Sequence, residues 1–120
     1  MTRPMPPYNP FDVVVVPFPF TDRQASKRRP ALVLSLPAGP PKSPHYLLGM
    51  ITSARNAAWP LDVPLQDLTA AGLPAASVAR MKLFTLDQQL VLSQAGTLTR
   101  RDRLAVMRSL HKLLPSMDVT

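Results

Sequence analysis

Residues 12–35 read DVVVVPFPFTDRQASKRRPALVLS. Two apolar runs, 13–16 and 31–34, flank a polar loop that ends in Lys27-Arg28-Arg29-Pro30. Val-rich runs of this length, bounded by turn formers, predict buried strands. They lie close enough in sequence to pair as a long-looped antiparallel hairpin. Pro17 and Pro19 cannot donate to a ladder, so the far half of the first strand is expected at an edge or bending away. Pro30 fixes its own φ and biases Arg29 toward extended backbone. An extended Arg entering a strand is held by the sheet, and its guanidinium can be aimed.

Outward from this hairpin the chain reads as short strands and one helix. The first strand runs from 12 to 16 or 18 and the second over 30–36. A rigid loop, PAGPPKSP, precedes a third strand over 45–53, where Gly49 marks a bulge or a close backbone approach. Trp59 is expected as a lid on the barrel mouth or packed on the core. A short fourth strand falls at 61–65, and one or two helical turns at 66–72 stop at Gly72 and Pro74. A fifth strand is predicted over 76–85 and a further one over 89–95, closed by Gly96. Thr99 caps the one convincing helix, with Asp102 three residues on as a variant capping box. Its apolar face is predicted to hold Leu104, Met107, His111 and Leu114, with Leu110 and Leu113, and Pro115 ends it. Pro4, Pro6, Pro7 and Pro10 make residues 1–10 an extended, loose arm, and 11–120 a single domain. Several short strands with a terminal helix imply a mainly β fold, a small antiparallel barrel or sandwich.

Composition narrows the chemistry. A chain of 120 residues, 46% hydrophobic, holds one small domain with a real core. There is no Cys, which excludes a disulfide scaffold, a thiolate zinc site and a Cys nucleophile. No apolar run approaches a membrane span, and the Pro-rich start lacks the apolar segment of a secretory signal, so a cytoplasmic protein with no membrane partner is expected. Lys and Arg number 14 against 7 Asp and Glu, a net +7, which points to a polyanion or an acidic protein segment as partner. Of the two His, His111 falls on the apolar face of the helix, as core or interface, and His45 on a loop edge. No His and acid cluster has metal spacing, so no cofactor and no metal is expected. What remains for phosphoryl chemistry is Arg and hydroxyls.

The segment DVVVVPFPFTD…KRRPALVLS resembles the opening of the PemK/MazF toxin endoribonucleases of type II toxin–antitoxin systems. There an apolar strand and a variable loop close on an Arg-Pro-Ala-aliphatic-Ser strand. GMITSARN resembles the family's Thr-bearing third strand, and LFTLD its later Thr-Leu-Asp segment, so the likeness runs over roughly residues 11 to 114. It implies an SH3-like barrel of the PemK/MazF/CcdB type with a C-terminal helix, a homodimer, and sequence-specific, metal-independent cleavage of single-stranded RNA. The substrate's 2′-hydroxyl would attack the adjacent phosphate, leaving a cyclic phosphate and a 5′-hydroxyl. Arg29 and Thr52 match the family's catalytic pair. Lys27, Arg28, Arg55, Arg80 and Lys82 are candidates to hold the RNA backbone. Thr21, Asp22 and Ser26 can read base edges; Ser53 and Arg55 stand where some members carry Gln or another polar residue soon after the Thr, a departure in the readout region. Phe18, Phe20 and Trp59 are candidate stacking rings. The implied partner is a cognate antitoxin whose acidic or amphipathic disordered tail covers the basic groove. The alternative is a CcdB-like inhibitor of DNA gyrase, a binding module on the same fold, although the chain lacks that type's terminal Trp.

Overall fold

The computed structural model describes residues 7–19 and 27–115. The strands are β1 (Asp12–Phe18), β2 (Lys27–Val33), β3 (His45–Ser53), β4 (Val63–Pro64), β5 (Ser77–Asp87) and β6 (Ser93–Thr97), with helices α1 (Leu68–Ala71) and α2 (Arg100–Leu113). They form one antiparallel six-stranded sheet in the order β4-β5-β3-β2-β1-β6. Its curl is visible in its packing. One apolar cluster joins Val63 and Leu65, at one end of the strand order, to Leu98, just past the other, with Ala71 of α1 and Val106 of α2 between them. A second cluster on the opposite face holds Val14, Val16, Ala31, Val33, Tyr46 and Leu48. Successive side chains of a strand point to opposite faces, so the unbroken valines of β1 serve both clusters: Val13 the first, Val14 and Val16 the second.

Two glycines let α1 close the gap between the sheet's edges. A Cβ on Gly96 would lie 2.2 Å from the Ala70 carbonyl, and one on Gly72 would lie 2.1 Å from that of Ala95. Gly72 also takes φ +72 to cap α1, a conformation that costs glycine little. Gly96 therefore sits inside β6 at the contact, and does not end the strand as its composition suggests. A register shift between Val13 and Val14 bulges β6 there. The bulge expected at Gly49 is present: its partner is Leu83, and the next pair is Met50 with Arg80.

The structure shifts several expected elements. β2 starts at Lys27, so the basic triplet lies within the strand, with Arg29 opposite Val16 and Arg28 opposite Pro17. β6 reaches only as far as Val15 on β1, which leaves Pro17 where one neighbour is missing and its absent N–H costs little. The fourth strand contracts to Val63–Pro64, and the further strand at 89–95 becomes a 3-10 turn, Gln88–Leu90, followed by β6. The arm is not loose at its described end. Tyr8 is buried, and its N–H donates to the Tyr46 hydroxyl at 2.7 Å.

The face of α2 also differs from the pattern. Leu104, Met107, His111, Leu113 and Leu114 are exposed, while Asp102 and Val106 are buried and Ala105 and Leu110 pack on the core. His111 is therefore not core. The cause is a buried carboxylate. Asp102 accepts from the Gln66 N–H (3.0 and 3.1 Å) and the Asp67 N–H (3.1 Å), which pins the helix to the segment ahead of α1 with that side inward. Thr99 does cap the helix, accepting from the Asp102 N–H. Among the described residues no helix is long and apolar enough to cross a membrane.

Candidate functional site

The β2–β3 ladder runs through Val33–Leu48, Leu32–Gly49 and Ala31–Met50, then stops. The next residue on β2 is Pro30, which has no N–H to continue it. Extending the register would set Pro30 opposite Ile51 and Arg29 opposite Thr52. The strands part there instead, and a cleft of about 270 Å³ opens between them. Its walls are Arg29 and Pro30 from β2, residues 51–53 from β3, Asn56 from the turn after β3, and residues 73–77 leading into β5. The proline beside Arg29 thus ends the pairing and makes the space into which the two side chains look.

Arg29 is half-buried, with its guanidinium carbon 4.9 Å from the centroid of the Phe18 ring. This cation–π contact orients the planar fork. Among the described residues, the Arg29 Nε is the one buried side-chain nitrogen or oxygen without a hydrogen-bond partner. A buried N–H without an acceptor is costly, and here it belongs to a permanent cation at the wall of a cleft. The Thr52 Oγ1 accepts from the Asn56 Nδ2 at 2.6 Å. Its own O–H is then free to donate into the cleft. Asn56 has no signal in sequence beyond lying four residues after Thr52, because its role depends on how the turn folds back.

The other candidates divide by their surroundings. Lys27 and Arg28 are exposed on the strand that carries Arg29, with Lys27 on its face. Ser53 lines the cleft, and its Oγ accepts from the N–H of exposed Arg55. Lys82 is exposed, its ammonium 5.7 Å from the Trp59 ring centroid. Arg80 is otherwise engaged. Its Nε donates to Asp62 Oδ1 at 3.1 Å, and its Nη2 to Asp62 Oδ2 at 3.0 Å and to the Ala57 carbonyl at 2.8 Å. That bidentate pair holds the Asp62 carboxyl below the usual carboxylate range, helped by the Trp59 N–H. Arg80 is thus a tether for the 54–62 turn and not a free cation for RNA. Thr21, Asp22, Ser26 and Phe20 lie outside the described residues.

No imidazole enters the cleft. His45 begins β3 at the end opposite Thr52, its Nδ1 against the Ser43 carbonyl at 2.7 Å. The Ser43 hydroxyl donates to Asp87 at 2.6 Å, which with the Gln89 N–H holds that carboxyl below its ordinary range. This trio ties a loop and is not a nucleophilic triad. No three His, Asp or Glu side chains among the described residues lie together as a metal site.

A cleft walled by a half-buried arginine and hydroxyls thus lies on a curled β-sheet with a terminal helix, a small β-rich fold with an open groove at its strand ends. Residues 9–114 match the PemK-like, MazF-like toxins of type II toxin–antitoxin systems, and the chain belongs to that family. Its fold is that of solved MazF structures. The Mycobacterium tuberculosis toxin MazF-mt6 superposes with a TM-score of 0.67 at 18% identity, covering 89% of this chain and 99% of that one. MazF in the MazE–MazF complex of Deinococcus radiodurans gives 0.64 at 21%, covering 92% and 97%. An endoribonuclease solved with its cognate antitoxin, from a mycobacterial species, gives 0.67 at 15%, covering 97% and 99%. No curated protein sequence matches the chain.

Proposed function

We propose that the chain is the toxin of a type II toxin–antitoxin pair and a sequence-specific, metal-independent endoribonuclease acting on single-stranded RNA in the cytoplasm. The observation that carries this is the cleft where β2 and β3 part, lined together by Arg29, whose buried Nε has no partner, and by Thr52. A phosphodiester supplies what Arg29 lacks, an anionic oxygen acceptor held by a planar fork. The 2′-hydroxyl of the substrate attacks the adjacent phosphorus. The 2′-O–P bond forms and the P–O5′ bond breaks. The 2′-proton is lost to solvent and the departing O5′ gains one, leaving a 2′,3′-cyclic phosphate and a 5′-hydroxyl. Arg29 stabilises the charge of the crowded phosphorane as a permanent cation, a role that suits its planar fork better than proton transfer. Thr52, polarised by Asn56, donates to a phosphate oxygen. The need for a 2′-hydroxyl spares DNA. The family match and the Arg29–Thr52 cleft favour cleavage over a gyrase-binding role.

Lys27, Arg28, Arg55 and Lys82 hold the RNA backbone, and an acidic antitoxin tail covering them would block the cleft. If a cognate acidic tail bound without slowing cleavage, that blocking mode would be wrong. The exposed apolar row of α2 suits a homodimer contact; sedimentation of a pure monomer at high concentration would exclude it. The decisive test incubates the full chain with long single-stranded RNA in EDTA and maps the ends by primer extension, with Arg29→Ala alongside. Discrete cuts with 5′-hydroxyl ends, reduced by at least about 100-fold in Arg29→Ala, are expected. Intact RNA from a folded preparation would overturn the reading.

A further inference from the structure

We propose that the Trp59 indole is a stacking platform for an RNA base beside the phosphate that Arg29 engages, an inference resting on the RNA-cleaving reading above. Trp59 belongs to neither apolar cluster and is 44% exposed. A large aromatic ring left on the surface would ordinarily be free to move, yet this one lies against the Arg80 guanidinium and the Lys82 ammonium, on a turn tied at its backbone. The Trp59 backbone N–H donates to Asp62 Oδ2 at 2.9 Å, which ties the turn that carries the ring. Arg80 grips that carboxylate with two nitrogens and sets its guanidinium carbon 4.9 Å from the ring centroid. The Arg80 and Asp62 side chains are only 11% and 12% exposed. Burying an ion pair costs desolvation free energy that packing an apolar pair would not. Here the pair fixes the turn and the ring.

The ring is fixed on the face of the sheet that carries the cleft. Directly paired residues of an antiparallel ladder share a face, and Met50 pairs with Arg80 as Thr52 pairs with Val78. Strand spacing and rise put the Arg80 and Thr52 backbones about 8 Å apart. The turn that carries Trp59 also carries Asn56, the partner of Thr52. A strand whose phosphate meets Arg29 and Thr52 therefore runs its neighbouring nucleotide toward the indole. Lys82, 5.7 Å from the ring centroid, adds a cation for that nucleotide's phosphate. Every base has a π-face, so the platform contributes affinity and splays the strand, while donors elsewhere in the cleft select sequence.

Trp59 is the sole tryptophan of the chain, so its fluorescence reports on this ring alone. The test titrates the full chain with a mixed-sequence, 2′-fluoro-substituted single-stranded RNA that lacks the attacking hydroxyl, following tryptophan emission and the anisotropy of a labelled copy. Quenching that saturates with the anisotropy midpoint is expected. Trp59→Ala is expected to weaken binding by about 5- to 150-fold, and Trp59→Phe to restore it to within about 3-fold. Circular dichroism of each variant confirms the fold. Binding without quenching, a Trp59→Ala chain that binds as tightly as the parent, or no binding at all overturns the platform. Cleavage of unmodified RNA in EDTA runs in parallel. Cleavage without quenching removes the platform and leaves the ribonuclease, whereas quenching without cleavage does the reverse.

Discussion

Arg29 owes its position to its neighbour. Pro30 ends the β2–β3 pairing at Ala31 and Met50, so two residues that would face each other across a ladder face each other across a cleft. A guanidinium on a strand is held by the sheet at its backbone and by Phe18 at its head, and both constraints arise within β1 and β2. Thr52 is oriented by Asn56, and this is where a side chain outside the proposed catalytic pair should matter to rate. Asn56→Ala removes the donor to Oγ1 and is expected to lower kcat by up to about tenfold, the worth of one hydrogen bond, with KM little changed. Single-turnover cleavage in EDTA measures it, and an unchanged rate would show that Thr52 needs no orienting partner. The cleft is lined by Arg, Thr, Ser and Asn with apolar neighbours, and no His, Asp or Glu is among them. The pH–rate profile between pH 5 and 8 is therefore expected to lack the bell of a histidine pair.

Element by element, local pattern was a fair guide to strands and a poor guide to faces. The four valines of β1, the apolar run of β3 and the Thr99 cap were all legible, because each follows from a local period or a capping chemistry. The face of α2 was not. Its row of Leu104, Met107, His111 and Leu114 has the right spacing, but it is the exposed row. The helix is rotated by Asp102, whose carboxylate serves amides 35 and 36 residues away. A charged residue in a first helical turn reads as a cap, and its distant partners leave no mark in the pattern. Asp102→Ala would leave the part-buried Gln66 and Asp67 amides without their acceptor, at a cost of about 2 kcal/mol. Urea denaturation read at constant m-value tests this, and a loss under about 0.5 kcal/mol would return Asp102 to an ordinary surface cap.

At the scale of the molecule, charge is unevenly engaged. The excess of Lys and Arg that suggested a polyanion is real, but its members are not equivalent. Arg80 is locked to Asp62, whereas Lys27, Arg28, Arg55 and Lys82 are exposed. The acids are engaged too. Asp62, through Arg80, and Asp87, through Ser43, have folded pKa values below those of the unfolded chain. As pH falls through about 4, the unfolded chain takes up these protons first. Their contribution is present above that pH and is lost as pH drops through the lower, folded values. Melting temperature is expected to be flat from pH 7 to about 5 and to fall below about 4. Asp62→Asn should flatten that acid limb; an unchanged limb would assign it to other carboxylates.

By itself the sequence determined the run of strands, the closing helix, the basic balance and the two residues, Arg29 and Thr52, on which the chemistry is proposed to rest. Each is written in a few neighbouring residues, where period, proline and hydroxyl placement act directly on the backbone. Only the tertiary structure decided where the ladder parts, which side of α2 is buried, that Arg80 is a tether, and that Trp59 is held on the cleft's face. Those outcomes depend on Asp62 meeting Arg80 across 18 residues, Gln66 meeting Asp102 across 36, and Ala31 meeting Met50 in register. Pairings over such separations are selected by the packing of the whole sheet, and no local pattern encodes them.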